Sequence, residues 1–197
     1  MNSIIAVILS YLLGSISFSY LAGKFLKGID IRQHGSGNAG ATNTLRVLGK
    51  GPGLTVFVLD IFKGVLAVWI SAWLVPDSLK VEILCGVAVV VGHNWPIYFN
   101  FKGGKGIATT IGVMLTLSFL PVLFAGIIAI IVIVFTRYVS VGSLVFALLL
   151  PLFIWWLREP NAILWISLVV AVFAFVRHRT NIVKLIQGRE NKLSLKK

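Results

Sequence analysis

Long uncharged apolar runs alternate with short polar stretches along the whole chain. The first run, residues 4–22, holds 19 residues without a charge. At 1.5 Å of rise per residue it can cross roughly 28 Å of hydrocarbon. No basic segment precedes it, so it reads as a retained span and not as a cleaved leader. The second run, 52–75, is interrupted by Asp60 and Lys63 and closed by Pro76-Asp77-Ser78; the third, 81–95, ends at Pro96. Run 107–135 covers 29 residues with Pro121 near its middle. That fits either one kinked span or two short spans turning at residues 118–121. With runs 139–157 and 161–176 the pattern predicts six or seven membrane-crossing helices.

Composition places the chain outside the soluble class: 58% of its 197 residues are apolar, so it reads as an integral membrane protein of a single domain, residues 1–197. Cys85 lies inside an apolar run, which leaves no disulfide framework and no thiolate metal site; a small buried hydrophobe is its expected role. The net charge of +12 would suit nucleic acid, yet the charges are divided among short loops instead of forming one stripe with interleaved aromatics. Their distribution settles the span count. With seven spans, 15 of the 18 basic residues fall on one face, accompanied only by Asp30 and Glu190. Six spans would put Arg137 and the basic tail on the opposite side from the glycine-rich loops. The positive-inside rule therefore favours an all-α, seven-span bundle with the amino terminus outside and the carboxyl terminus cytoplasmic. No inverted internal repeat of the transporter kind is visible.

Four polar clusters reach the cytoplasmic side in that arrangement. Residues 30–46 place Gly35, Gly37 and Gly40 among the neutral donors Ser36, Asn38, Thr42 and Asn43, with Arg32 and Arg46 adding charge. Glycines that turn N–H groups inward, beside such donors, make an oxyanion or phosphate cradle. The spacing Gly35-x-Gly37-x-x-Gly40 also matches a dinucleotide fingerprint, but no strand precedes it. Gly103-Gly104-Lys105-Gly106 resembles half a P-loop without the following Ser or Thr; it reads as a backbone nest with an ammonium at a helix amino terminus beginning near Ile107. Residues 140–143 hold Ser140 and Ser143. In residues 177–190, His178 and Asn181 are three apart and would point the same way on a continuing helix.

Other polar groups have plainer readings. Asp60 and Lys63 can share a helix face and pair. His93 reads as a hydrogen-bonded core histidine and Trp95 as part of an aromatic belt. His34, His93 and His178 have no carboxylate or cysteine at ligand spacing, so no metal is expected. The soluble-acyltransferase pattern of a His with an Asp five residues later is absent, since Ala39, Tyr98 and Val183 occupy those places.

In order along the chain, Gly35-Ser36-Gly37-Asn38-Ala39-Gly40-Ala41-Thr42-Asn43 with Arg46, Asp60-x-x-Lys63-Gly64, His93-Asn94 followed by Phe101-Lys102-Gly103-Gly104-Lys105-Gly106-Ile107-Ala108-Thr109, and Arg177-His178-x-x-Asn181-Ile182 with Gly188 and Glu190 resemble the bacterial membrane family of acyl-phosphate:glycerol-3-phosphate acyltransferases. The family usually has Pro at the place of Ser17 and Arg at that of Lys184. The resemblance implies transfer of a fatty acyl group from acyl phosphate to the 1-hydroxyl of sn-glycerol 3-phosphate, giving lysophosphatidic acid and phosphate on the cytoplasmic side of the bacterial inner membrane. Its partners would be those two substrates and membrane lipids, with no metal, cofactor or nucleic acid.

Under that reading Ser36, Gly37, Asn38, Gly40, Thr42 and Asn43 take the acyl-phosphate group. Lys105, on the loop that Gly104 opens, and Arg46 meet phosphate charge; His178, Asn181 and Ser143 surround glycerol phosphate and the oxyanion. The base is either His178 or a phosphate oxygen of the substrate, the second being favoured. A transporter or flippase of phosphorylated molecules is the rival reading; a lipid-phosphate phosphatase would need a nucleophilic His beside a carboxylate, which the spacing lacks.

Overall fold

In the computed structural model, described for residues 1–193, the chain is helical, with no strand among the described residues. Lys196 and Lys197 of the expected basic tail lie outside them. The backbone packs as two compact units, Met1–Thr116 and a second that begins at Leu117.

The first unit contains α1 (Asn2–Gly14), α2 (Phe18–Lys27), α3 (Ala41–Leu48), α4 (Lys50–Leu74), α5 (Leu79–Asn94) and most of α6 (Ile107–Leu117). The expected first span is present but broken at residues 15–17, between α1 and α2. A break inside a membrane leaves backbone carbonyls that must be satisfied by protein. Here buried Lys63 of α4 donates to Gly14 O at 3.1 Å and Ile16 O at 3.0 Å. Ser17 caps α2 by accepting from Tyr20 N at 3.3 Å.

Small residues set the helix crossings, as in membrane bundles where backbones approach closely. A Cβ at Gly14 of α1 would run into Val89 O of α5, and one at Gly92 of α5 into Tyr11 O of α1. The same reciprocity joins α4 to α6, with Gly64 on Thr109 O and Gly112 on Ile61 O. Near the turn that follows α4, Ala6, Val81 and Cys85 pack with Val7, Leu74 and Val75, which makes Cys85 the buried hydrophobe expected. Trp69 and Trp73 stand exposed on the last turns of α4, the position of an aromatic belt.

The second unit contains α7 (Phe119–Thr136), α8 (Val139–Trp156), α9 (Asn161–Arg177) and α10 (Arg179–Ile186). The long run 107–135 does split, but not at the proline. The break is Ser118, in extended conformation, and Pro121 sits in the first turn of α7, where a missing N–H costs nothing. Nor are the halves equal: α7 has 18 residues, whereas α6 has 11 and reaches only about 16 Å. Exposed Trp155, Trp156 and Trp165 flank the turn between α8 and α9.

Among the described residues, five helical stretches are long and apolar enough to cross a bilayer, or six if α9 and α10, bent by 56°, count as one. The chain is thus an all-helical, multi-pass membrane protein.

Candidate active site

Within the first unit the glycine-rich loop is held from below by one residue. Asn43, buried in the first turn of α3, accepts from Ser36 N at 2.8 Å through Oδ1 and donates through Nδ2 to Ile31 O at 3.1 Å and His34 O at 3.0 Å. Its amide is therefore spent on the loop itself. Gly35 has φ +63°, and a Cβ there would collide with Asn43 Oδ1, so both conformation and space demand glycine. Ser36 and Gly37 are exposed, while Asn38, Thr42 and Arg46 are half-buried. Gly40 is the extended residue that starts α3. Thr44 Oγ1 donates to Gly40 O at 3.1 Å and shares a 2.7 Å hydrogen bond with Ser19 Oγ of α2.

Arg32, expected to lend charge to the cradle, is occupied elsewhere. Its Nε and Nη2 bind Asp30 Oδ1 and Oδ2 at 3.0 and 2.8 Å, and its Nη1 donates to Phe99 O at 2.9 Å. The guanidinium also lies 4.9 Å from the centre of the Tyr20 ring. It ties the loop to the 3-10 turn at Ile97–Phe99, and its hydrogen bonds hold the Asp30 carboxyl below the ordinary carboxylate value.

The Lys105 loop lies against the glycine-rich loop. Gly104 N donates to His93 O at 3.0 Å. A Cβ at Gly104 would collide with the His93 ring and approach Ala39 O to 2.9 Å. Gly106, with φ +83°, sits over the Asn94 side chain, and α6 starts at the next residue. Half-buried Lys105 thus enters the helix amino terminus that its spacing predicted, where free N–H groups favour an anion.

Beneath this loop Asp60 and Lys63 form the expected pair at 2.9 Å, both almost fully buried. Asp60 Oδ1 is also 3.5 Å from His93 Nδ1. A histidine and an aspartate 33 positions apart thus meet on neighbouring helices; no sequence spacing announces that contact.

In the second unit α9 ends at Arg177, and the chain turns by 56° at His178 before α10. The helix that would have put His178 and Asn181 on one continuous face is therefore interrupted. His178 is buried, its Nδ1 2.8 Å from Ala174 O. A carbonyl can only accept, so in the neutral ring Nδ1 carries the hydrogen and Nε2 the lone pair. Asn181 Nδ2 donates to Glu190 Oε1 at 2.8 Å, and Ser140 Oγ donates to the same oxygen at 3.0 Å. Ser143 is buried one turn further along α8. Sequence reasoning gave Glu190 no role, although its place at the end of the fourth motif was the available signal.

A family model described as "Glycerol-3-phosphate acyltransferase" matches residues 4–188, nearly the whole chain. The chain belongs to that family. Among glycerol-3-phosphate acyltransferases, that of Halalkalibacterium halodurans is 55% identical over 196 residues, covering 97% of this chain and 95% of the relative. That of Shouchella clausii is 53% identical over 200 residues, with 98% of each covered. Among solved structures, the glycerol 3-phosphate form of PlsY (YgiH), an integral membrane glycerol 3-phosphate acyltransferase, is similar at a TM-score of 0.93 and 39% identity, covering 98% of this chain and 96% of that one. The lysophosphatidic acid form of the same enzyme gives 0.90 and 38% over the same shares.

Proposed function

We propose that this family member uses an acyl phosphate as donor and works from the cytoplasmic side of a bacterial inner membrane. It acylates glycerol 3-phosphate to lysophosphatidic acid, the activity that gives the family its name and whose substrate and product forms describe the similar solved structures. The rival reading, a transporter of phosphorylated molecules, gives way to that membership.

The observation that carries the proposal is the meeting of two anion-type loops at one point, where Gly104 of the Lys105 loop packs on Ala39 O of the glycine-rich loop. Two adjoining cradles, each opening a helix, suit a reaction in which both substrates bear phosphate. In this reading Ser36, Gly37, Asn38, Gly40 and Thr42 receive the acyl-phosphate group, with Asn43 holding their loop in shape. Lys105 and Arg46 meet phosphate charge, and Gly104 lets the Lys105 loop come close. His178, Asn181 and Ser143 serve glycerol phosphate and the oxyanion. Family coverage of residues 4–188 supports one acyltransferase domain across the chain.

Acyl phosphate is a mixed anhydride with a good leaving group, so no covalent enzyme intermediate is required. The glycerol 1-hydroxyl oxygen attacks the acyl carbon, the bond from that carbon to the phosphate oxygen breaks, and phosphate departs. The hydroxyl proton passes to a substrate phosphate oxygen, whose second pKa lies near neutrality. What the protein adds is positioning and charge on the tetrahedral oxyanion.

For topology the proposal is seven segments, amino terminus outside and carboxyl terminus cytoplasmic, with short α6 as one of them. The 15 basic residues that this arrangement puts on one side support it.

The test is product formation by the purified chain in detergent from palmitoyl phosphate and glycerol 3-phosphate, with palmitoyl-CoA in parallel and Lys105→Ala as the variant. Lysophosphatidic acid from the acyl phosphate alone, lost in the variant, is the expected result. Equal product from palmitoyl-CoA would overturn the donor, and an active variant would overturn the role of Lys105.

A further inference from the structure

We infer that His93 is a positioning residue for the substrate-phosphate loop, held in place by the buried Asp60–Lys63 pair. The inference rests on the assignment of Lys105 to substrate phosphate.

Ionisable groups within a span are costly and persist where they do something a hydrophobe cannot. Lys63 has such a task, since it satisfies the carbonyls freed where α1 ends. Asp60 neutralises Lys63, but its Oδ1 also faces His93 Nδ1. That contact turns the Nδ1 edge of the ring toward the carboxylate and the Nε2 edge the other way. That edge meets Gly104, while the carbonyl of the same histidine accepts from Gly104 N. Ring and backbone of one residue thus grip one glycine, whose chain neighbour is Lys105.

The glycine has no slack in this grip. Ala39 O stands 2.9 Å from the same position that a Cβ on Gly104 would take, and the next glycine in the loop, Gly106, rests on Asn94. A displaced His93 ring would therefore move Gly104 into the glycine-rich loop or away from it, and Lys105 with it. Being buried against backbone, His93 has no direct part in the chemistry. It sets where the ammonium stands, and through Ala39 the spacing of the two loops.

Misplacing a phosphate-binding charge weakens ground-state and transition-state binding alike, which raises KM and spares kcat. A merely structural role lowers the folded fraction, so that the maximal rate falls while KM stays put. We would therefore measure KM for acyl phosphate and for glycerol 3-phosphate, with kcat, in His93→Ala, His93→Asn, His93→Gln and Gly104→Ala, each normalised to folded protein, beside Lys105→Ala. The KM that decides is that of the substrate which Lys105→Ala weakens.

His93→Ala and Gly104→Ala are expected to raise KM about tenfold or more, the worth of one charge-assisted hydrogen bond, with kcat within about threefold. Gln, whose amide reaches about as far as the imidazole Nε2, refills the space against Gly104 and is expected to restore KM to within about threefold of the parent. Asn is too short and should behave like Ala; it decides the matter if His93→Ala does not fold. Unchanged KM in both short variants, or no better KM with Gln than with Asn, would overturn the inference. Activity retained in Lys105→Ala would instead remove the reading beneath it, whatever the His93 variants do.

Discussion

Replacing Lys63 by Met keeps the volume of the side chain and removes its charge, which isolates the electrostatics of the buried pair. Asp60 would then be left uncompensated beside His93, and the carbonyls of Gly14 and Ile16 would lose their donor. Breaking a buried pair from one side costs about 3–5 kcal/mol. A carboxyl can escape by taking a proton, which for an ordinary carboxyl at pH 7 costs about 4 kcal/mol and caps the penalty at a similar size. The two carbonyls add about 1 kcal/mol more, because the chain is already broken there and one of the two bonds is only part-buried. The total is about 5 kcal/mol, or roughly 10–20 °C of unfolding midpoint for a chain of this length.

One feature makes this more than a destabilising substitution. Adding Asp60→Asn to Lys63→Met removes the stranded charge, so the double variant should regain about 2–4 kcal/mol over the single one. Thermal unfolding in detergent followed by circular dichroism reads the difference. A double variant no more stable than Lys63→Met would show that Asp60 is not the group Lys63 compensates, and would refute the reasoning.

Asn43→Ala should cut turnover at least tenfold while shifting the unfolding midpoint by only a few degrees, because it frees a surface loop and not a core; folded-fraction-normalised activity checks it. The Asp30–Arg32 pair gives a pH dependence of known sign. The folded carboxyl lies below its ordinary value of 3.8, so its contribution is complete above that pH and is lost as pH falls toward the folded pKa. Between pH 6 and pH 2.5 the parent should therefore lose stability relative to Asp30→Asn, and parallel loss in the two would remove the pair as a contributor.

What could be read from the sequence followed from periods and residue types. Apolar runs marked the helices because lipid demands them, and Asp60–Lys63 was legible because three positions make one helical turn. The break at residues 15–17 was not legible, since Ser and Gly are tolerated inside membrane helices and only the distant Lys63 ammonium makes this break affordable. Arg32 and Asn43 were recognised as loop residues and misjudged as open donors. Residue type announces what a side chain can bind, whereas its partners here come from the backbone turns of Phe99, Ile31 and His34. Asp60–His93 was invisible because a pair made by tertiary packing leaves no fixed spacing behind, and for Asn181–Glu190 the shared motif hinted at a role for Glu190 without naming its partner.

The committed carboxylates narrow the question of the base. Asp30 is bound by Arg32, Asp60 by Lys63, and Glu190 by Ser140 and Asn181. Asp77 lies in the turn before α5, Glu82 in the first turn of α5 and Glu159 after α8, none of them in the four motifs. His178 and the substrate's own phosphate are then the contenders. With Nδ1 bound to Ala174 O, the neutral ring presents Nε2 as an acceptor, so it could either take the hydroxyl proton or merely hold the hydroxyl.

His178→Gln separates the two, since an amide can hold but cannot take a proton at neutral pH. Loss of general-base catalysis typically costs 10²–10⁴-fold, and it would abolish an acid limb in kcat that belonged to the imidazole. If the phosphate takes the proton, the variant should keep turnover within about a hundredfold. Its acid limb should also stay near the second phosphate pKa, about 6, because that group arrives with the substrate. A pH profile of kcat for parent and variant decides between them: an acid limb that vanishes with the imidazole would make His178 the base and end the case for substrate assistance.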